Sequence, residues 1–200
     1  MIRDRGRQHL GGPPEPGDLK RFPTSRLAQT KPLYRLHRRT RRPWYFSTSG
    51  AGRFDLRGPE GTCYGALEPA VAFIEVFYGF SIVPVEELTD MVVSTLSAPT
   101  TMRLADCTNP KAVGYLVTGE VATTTDYALT QRWAGAFRAA GFDGIRYWAR
   151  HDTGRGRAVA LFGPAGQRDD WPEPTTAPLD AAVQAEVTRR YGIIFLDTDV

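Results

Sequence analysis

Apolar and polar residues alternate along much of the chain, and the period of the alternation predicts where strands and helices lie. In residues 31–38, Leu33, Arg35 and His37 lie on one side of a predicted strand, and Tyr34 and Leu36 lie on the other. Short apolar or alternating runs predict further strands at GTCYGA (61–66), SIVPV (81–85), MVVSTL (91–96), TMRLAD (101–106), GIRYWA (144–149), AVALF (158–162) and IIFLD (193–197).

Helical periodicity predicts three helices. The first covers residues 67–78, where Pro69 fits the first turn. The second covers residues 127–140 with Asp126 as its N-cap, and the third covers residues 179–191 after a Pro-rich connector. Many short strands, few helices and no regular strand–helix alternation predict an α+β fold, with mixed sheets of short strands and a few flanking helices.

The two ends of the chain differ from the middle in composition. Residues 1–30 are rich in Gly, Pro and Arg and contain few apolar anchors, so we expect a disordered basic extension that folding does not need. Residues 31–200 are expected to form a single domain. Its last part, residues 175–200, adds a helix and a strand to the main body.

Length, composition and cysteine content narrow the class of protein. With 42% hydrophobic and 24% charged residues, the chain is typical of a globular protein. No apolar run approaches the ~18 residues of a membrane span, and the N-terminus lacks the apolar stretch of a secretory signal. Cys63 and Cys107 lack the spacing of a disulfide framework or a zinc site, so a cytoplasmic location is the simplest expectation.

The positive charge is concentrated near the N-terminus. Residues 1–42 carry twelve Lys or Arg against three acidic residues, a local net charge of +9, although the whole chain carries only +3. The densest part is HRRTRR at residues 37–42, but neither a helix-turn-helix nor an RNP-type motif accompanies it, which argues against nucleic-acid binding. An anionic ligand such as a pyrophosphate suits part of this charge better.

One carboxylate lies in the most apolar segment, AVAFIEVFY at residues 70–78. Its helical neighbours three and four positions away include no cation, so the helix supplies no partner for Glu75. One interpretation is a carboxylate at the edge of the core that reaches water. The other is a carboxylate in the wall of a cleft, where apolar surroundings strengthen its effect on a cationic ligand or transition state.

Two arginines occupy positions that also suggest a polar pocket. Arg35 interrupts a strand-like segment, and Arg53 follows two glycines in the loop GAGRFD. Glycines allow backbone N–H groups to approach an anion, and a guanidinium binds phosphate with two parallel hydrogen bonds. Each arginine taken alone is more typical of a surface residue. GAGRF also lacks the spacing of a dinucleotide-binding GxGxxG motif.

The segments LYRLHR, GRFD and GTCYGALEPAVAFIEVF resemble the RES domain family, which is named for an Arg, a Glu and a Ser. The later segment TDYALTQRWAGAFRAAGFDGIRYWARHDTGRGRAVALF is similar to the second half of that family, so the resemblance covers residues 32–165. The resemblance implies a fold similar to that of ADP-ribosyltransferase toxins. It also implies an NAD glycohydrolase or NAD phosphorylase that releases nicotinamide, and that is typically a toxin paired with a protein antitoxin.

The resemblance also implies roles for individual residues. Arg53, Tyr64 and Glu75 fall at equal spacings of eleven, as expected for the family's site. Arg35 and Arg53 would bind the phosphates of NAD, Tyr64 would contact the nicotinamide riboside, and Glu75 would stand beside the ribose. Glu75, Arg53 and Tyr64 are then the predicted catalytic residues. The chemistry agrees independently, because a carboxylate stabilises an oxocarbenium-like centre without any metal.

The chain departs from the family pattern at one position. The family's Ser belongs in the segment that here reads YWAR, so Ala149 replaces it. Ser47, Ser49 or Thr153 are the candidates to take its role. The replacement leaves open whether the protein is a catalytically weak RES-like module that binds a nucleotide or a partner protein.

Other mechanisms remain as alternatives. A transferase that moves ADP-ribose to a macromolecule would use the same site. A thiol mechanism through Cys63 and His37 is disfavoured because Cys63 lies in an apolar strand without an orienting acid. We expect no metal site, since His37 and His151 are too scattered. The sequence does not decide between water and phosphate as the acceptor.

Overall fold

The computed structural model of the chain describes residues 10–197. The strands of this region are β1 (Thr24–Leu27), β2 (Leu33–Arg38), β3 (Tyr45–Phe46), β4 (Glu60–Ala66), β5 (Ile82–Pro84), β6 (Met91–Leu96), β7 (Met102–Asp106), β8 (Gly144–Trp148), β9 (Arg157–Pro164), β10 (Gly166–Gln167), β11 (Thr175–Pro178) and β12 (Ile194–Leu196). The α-helices are α1 (Pro69–Val76), α2 (Glu120–Thr123), α3 (Tyr127–Ala139) and α4 (Ala181–Tyr191). Between residues 10 and 197, none of the helices has the length and apolar character that crossing a membrane requires.

Most strands belong to one mixed sheet. Its order is β1-β7-β8-β9-β4-β2-β6-β11, and its neighbours are antiparallel except for the parallel pair β7 and β8. Two small sheets join β3 to β10 and β5 to β12. The structure thereby confirms the predicted α+β class with mixed sheets and a few flanking helices.

Both faces of the main sheet bury apolar side chains. One face packs against the core that α1 and α3 complete, where Phe73, Trp133 and Phe137 are fully buried. The other face carries a smaller core that includes Trp44 and Phe46. The core on the helical face contains more buried residues than the core on the other face, and burial of each large apolar side chain contributes about 1.5–3 kcal/mol.

Local signals in the sequence explain the helix ends. Pro69 occupies the first turn of α1, as predicted. The Asp126 carboxylate caps α3 by accepting a hydrogen bond from the N–H of Leu129 at 2.9 Å. Asp180 caps α4 in the same way, and the helix begins at Ala181, two residues later than the predicted start at residue 179.

The main sheet opens between β4 and β2, its fifth and sixth strands. In the described part of the chain, β2 and β4 pair only through Tyr34 and Ala66, although both strands run well beyond that pair. The helix α1 packs against both strands and crosses the opening. This separation creates the cleft described below.

The expectation of a disordered extension over residues 1–30 is wrong for residues 10–30. Leu19 and Phe22 are buried in the main core, and β1 forms an antiparallel edge strand against β7. The few apolar residues of this segment are sufficient because they join the main core, where Phe22 packs against Phe137 of α3 and Phe142, rather than forming a core of their own. Residues 1–9 lie outside the described residues.

The Pro-rich connector also holds a strand that the sequence did not predict. Thr175–Pro178 pairs antiparallel with β6 at the opposite edge of the sheet. All four residues of this strand are exposed, so it lacks the apolar alternation that marks the other strands. Proline is tolerated there because one side of an edge strand forms no ladder hydrogen bonds.

Candidate active site

A cleft of about 340 Å³ lies where β2 and β4 separate. Among its described lining residues, five are tyrosines and three are arginines, and Glu75 is the one carboxylate. The lining comes from β2, β4, β8, β9, α1, the loop before β4, the start of α3 and the segments that follow α1 and β8. A cationic cleft with aromatic walls suits an anionic ligand that carries rings.

Glu75 lies in the cleft wall near the end of α1. Its Oε1 accepts a hydrogen bond from the backbone N–H of His151 at 2.9 Å. Burial, the largest effect, raises the pKa of Glu75, while the His151 N–H and the charges of Arg53 and Arg150 lower it. The carboxylate is therefore partly desolvated, and its nearest counter-charges belong to the same cleft.

Arg53 is almost fully buried, with 7% of its surface exposed. Its Nη1 donates to the carbonyl of Thr124 at 2.5 Å, and its guanidinium lies over the Tyr127 ring at 4.8 Å from the centroid. Its Nη2 is buried and has no hydrogen-bond partner among residues 10–197. Burial lowers the pKa of Arg53, Tyr127 raises it, and the nearby charge of Arg150 lowers it further. Arg53 therefore contributes an unsatisfied guanidinium donor to the lining of the cleft.

Arg150 and His151 complete the cleft from the segment after β8. The sequence patterns did not predict either residue as part of the site. Arg150 Nη1 donates to the Tyr127 hydroxyl at 3.2 Å. The His151 ring stacks on Tyr78, with 3.8 Å between ring centroids and 4° between planes. Burial, followed by the charges of Arg150 and Arg53, lowers the pKa of His151. Arg150 stood within the YWAR motif, whereas His151 had no local signal.

Tyr64 is held by the loop that carries Arg53. Its hydroxyl donates to Asp55 Oδ1 at 2.8 Å and accepts from the N–H of Phe54 at 2.9 Å. Burial and then the Asp55 charge raise the pKa of Tyr64 well above its ordinary value. Because the hydroxyl already donates its proton within the protein, the ring of Tyr64 is the part left to contact a ligand.

Asp55 organises the same loop, although the sequence patterns predicted no role for it. Its Oδ2 accepts from the N–H of Gly52 at 3.1 Å and from the hydroxyls of Ser47 and Ser49. The loop passes so close that a Cβ on Gly52 would overlap the Asp55 carboxylate and lie 2.5 Å from the Tyr64 hydroxyl. The buried carboxylate therefore ties the position of the Arg53 loop to that of Tyr64.

Arg35 lines the cleft on β2, but its guanidinium is bound elsewhere. Nη1 donates to the carbonyl of Pro43 at 2.7 Å and to the Cys63 sulfur at 3.1 Å. Cys63 belongs to the smaller core on the opposite face from Tyr64. The structure thus brings Arg53, Tyr64 and Glu75 together, and it places Arg35 at the border of the cleft.

Ala149 does not line the cleft. It is buried in the main core, and its backbone N–H and carbonyl bond to Gly156 and Asp152. Of the three suggested replacements for the family Ser, Ser47 and Ser49 bind Asp55, and Thr153 is exposed outside the cleft. None of the three places a hydroxyl at the Glu75 carboxylate in the described contacts.

The residues of the alternative mechanisms lie away from the cleft centre. Burial raises the pKa of the Cys63 thiol even though Arg35 is adjacent. His37 bonds Ser94 at 2.8 Å on the far side of β2. Within residues 10–197, no group of three or more His, Cys, Asp or Glu side chains is arranged to hold a metal ion.

Comparisons with known proteins identify the family of the chain and a structure with a similar fold. A family model described as the RES domain matches residues 32–180. Among solved structures, a chain from the crystal structure of the M. tuberculosis MbcT–MbcA toxin–antitoxin complex is similar, with a TM-score of 0.57 and 16% sequence identity. The match covers 80% of this chain and 89% of that chain, and at this identity it shows a shared fold. A search of curated proteins found no match.

Proposed function

The chain belongs to the RES domain family, and on that premise we propose that it is an enzyme that cleaves the bond between nicotinamide and ribose in NAD. The observation that carries the proposal is the meeting of Glu75, Arg53 and Arg150 in one aromatic cleft. A desolvated carboxylate suits a cationic ribosyl centre, and the two arginines suit the pyrophosphate.

The reaction breaks one C–N bond. Its electron pair goes to the pyridine nitrogen, so nicotinamide leaves as a neutral molecule and positive charge develops on the ribose. The Glu75 carboxylate stabilises that charge from a wall where water is partly excluded. An oxygen of water or phosphate then bonds to the same carbon. Water loses a proton and gives ADP-ribose, whereas phosphate gives an ADP-ribose phosphate ester.

The remaining cleft residues bind and orient the dinucleotide. The buried Nη2 of Arg53 lacks a partner within the described chain, and a small shift of the side chain on binding would let it donate to a phosphate oxygen. A buried donor without a partner costs roughly 1–3 kcal/mol, so a ligand that satisfies it recovers that energy. The Tyr64 ring and the stacked pair of Tyr78 and His151 offer flat surfaces to the nicotinamide riboside.

Ala149 supports a second candidate, a RES-like module that binds the nucleotide with little or no turnover. The hydroxyl that the family name implies is missing at this position. The two candidates share one binding site and differ only in the fate of the ligand.

We also propose that the protein acts as the toxin of a toxin–antitoxin pair. The family membership and the fold shared with a chain of a toxin–antitoxin complex support this role. Induced expression in a bacterial host should stop growth and deplete NAD, and the Glu75→Gln variant should permit growth. Arrest by both forms at equal protein levels would contradict the proposal.

The direct test is to identify products. Purified protein is incubated with NAD, with and without phosphate, and the products are separated by chromatography. Release of nicotinamide in an amount equal to the ADP-ribose product supports the enzyme, and dependence on phosphate identifies the acceptor. Binding of NAD without any product would favour the binding module.

A further inference from the structure

The arginine-rich motif at residues 37–42 is not used by the proposed reaction, yet it lies next to the cleft. It forms the turn at the end of β2, where the N–H of Arg41 donates to the carbonyl of Arg38 at 2.8 Å. The N–H of Arg39 donates to the carbonyl of Asp90 at 2.7 Å. The first and fourth residues of such a turn lie within about 7 Å of each other. Arg38 and Arg41 therefore extend from neighbouring points on an anchored backbone.

Arg38 and Arg41 line a groove of about 390 Å³ that continues the cleft. The groove and the cleft share Arg35, Leu36 and Val76 as lining residues, so they meet along β2 and the end of α1. Further lining comes from the apolar side chains of Phe77 and Met91. Arg39 and Arg42 project from the same turn but are not among the groove's lining residues.

The two groove arginines have no counter-charge bound to them. Within residues 10–197, no ion pair joins Arg38 or Arg41 to a carboxylate. Glu87 is the one carboxylate among the groove's described lining residues, and Arg38 and Arg41 line the same groove. Two guanidinium groups carried by one short turn suit a doubly charged phosphate monoester, which accepts several charge-assisted hydrogen bonds.

The dinucleotide is larger than the cleft. A volume of about 340 Å³ lies at the lower end of the ~300–1,000 Å³ typical of ligand pockets. With the nicotinamide ribose at Glu75 and the pyrophosphate near Arg53, the adenosine half must extend beyond the cleft. The contiguous groove offers Leu36, Phe77 and Met91 as apolar contacts for adenine.

We propose that Arg38 and Arg41 form a subsite for the 2′-phosphate on the adenosine half, so that the preferred substrate is NADP rather than NAD. This inference rests on the proposed function for its catalytic part. Arginine beside the adenosine ribose accommodates a 2′-phosphate in other dinucleotide sites, whereas an acidic residue there binds the free hydroxyl. Glu87 opposes the phosphate, and the arginines outnumber it.

The kinetic test compares the ratio of kcat/KM for NADP to kcat/KM for NAD in matched variants. The Arg38→Ala, Arg41→Ala double variant should lower that ratio roughly tenfold to a hundredfold, as expected for lost charge-assisted hydrogen bonds. The Arg39→Ala, Arg42→Ala double variant removes the same charge from the same turn and should leave the ratio unchanged. Glu87→Gln should raise it. A wild-type ratio of one or below, or an equal fall in both double variants, overturns the proposal.

A binding test separates the subsite from catalysis. Calorimetry compares adenosine 2′,5′-bisphosphate with ADP, which carries the same number of phosphates but no 2′-phosphate. Wild type should bind the bisphosphate at least tenfold more tightly, and the Arg38, Arg41 double variant should lose that advantage. This result without any turnover would refute the proposed reaction and leave the subsite standing. Turnover of NAD with equal affinity for the two nucleotides would refute the subsite and leave the reaction standing.

Discussion

At the scale of single residues, the position of Glu75 sets what the cleft can do. Its carboxylate accepts one backbone hydrogen bond and faces Arg53 and Arg150, yet burial still raises its pKa. A carboxylate with a raised pKa is destabilising when ionised, because the fold holds it away from water. Such a cost is common at functional sites, where charge is needed in the reaction more than in the resting fold.

Glu75→Gln tests this view through activity and pH dependence together. The amide retains the shape and the acceptor for the His151 N–H but carries no charge, so we expect kcat to fall by about 10²–10³. The folded pKa of Glu75 is raised above the unfolded value, so protonation favours the folded state. Wild type should therefore lose stability relative to Glu75→Gln as pH rises above about 4.

Urea unfolding at several pH values and nicotinamide release on the same samples measure both effects. Glu86→Gln removes an equal charge from an exposed position and serves as the control. A Glu75→Gln protein with full activity and reduced stability would show that Glu75 is a structural carboxylate.

Gly52 is the second residue whose chemistry the site constrains. A methyl group at this position has no room between the Asp55 carboxylate and the Tyr64 hydroxyl. Gly52→Ala should shift the loop, weaken binding of the dinucleotide by tenfold or more and lower the melting temperature. Gly135→Ala is the matched control, because nothing lies within 4 Å of its added Cβ on the exposed face of α3. In a helix this change stabilises by roughly 0.4–1 kcal/mol. Equal affinity of both variants for the dinucleotide, measured by calorimetry, would show that Gly52 does not constrain the site.

At the scale of elements, the sequence predicted the parts whose signals are local. The helices α1 and α3 follow from their periodicity and from Pro69 and Asp126. The strand β1 was missed because Leu27 is its one buried residue and four residues are too few to show a pattern. The site residues Arg53, Tyr64 and Glu75 were predicted for the same reason as the helices, because each lies in a contiguous segment that resembles the family.

The segment after β8 could not be placed from local patterns. Its position depends on contacts between residues far apart in sequence, such as the bond between Arg190 and Asp152. Neither a hydrophobic period nor a helix cap within the segment predicts that contact. The place of His151 in the cleft therefore depends on the whole fold and has no local signal in the sequence.

The N-terminal segment is an element of the fold, which reverses the expectation for truncation. Phe22 is buried and packs against Tyr115, Phe137 and Phe142. Phe22→Ala should lower the free energy of unfolding by about 3–5 kcal/mol, and a chain that begins at Lys31 should fail to fold stably. Lys20→Ala, an exposed change in the same segment, should alter it by less than about 0.5 kcal/mol. Retention of the wild-type melting temperature on removal of residues 1–30 would contradict this account.

At the scale of the whole molecule, the cleft depends on α4, which does not line it. Arg190 of α4 donates to Glu68 at 2.6 Å, just before α1, and also to Asp152. The side chain of Asp152 is 1% exposed and accepts a second bond from the N–H of Gly154 at 2.7 Å. These bonds fix the segment that carries Arg150 and His151 against the end of α1. The C-terminal helix thereby acts on the site through two other elements.

Arg190→Ala tests this long-range dependence. The change leaves the buried Asp152 carboxylate without its cation, and breaking one side of a buried pair costs about 3–5 kcal/mol. Because Arg150 and His151 lose their anchored position, affinity for the dinucleotide should fall along with the free energy of unfolding.

Arg189→Ala is the matched control for that variant. The neighbouring side chain is 72% exposed and pairs with Glu186 within the same helix, so its loss should cost no more than about 1 kcal/mol. Asp152→Asn combined with Arg190→Met removes both charges and should recover part of the stability lost in Arg190→Ala, because no unpaired charge remains buried. Urea unfolding and calorimetry with ADP measure the two quantities. If Arg190→Ala behaves like Arg189→Ala in both, α4 is an addition to the fold without influence on the cleft.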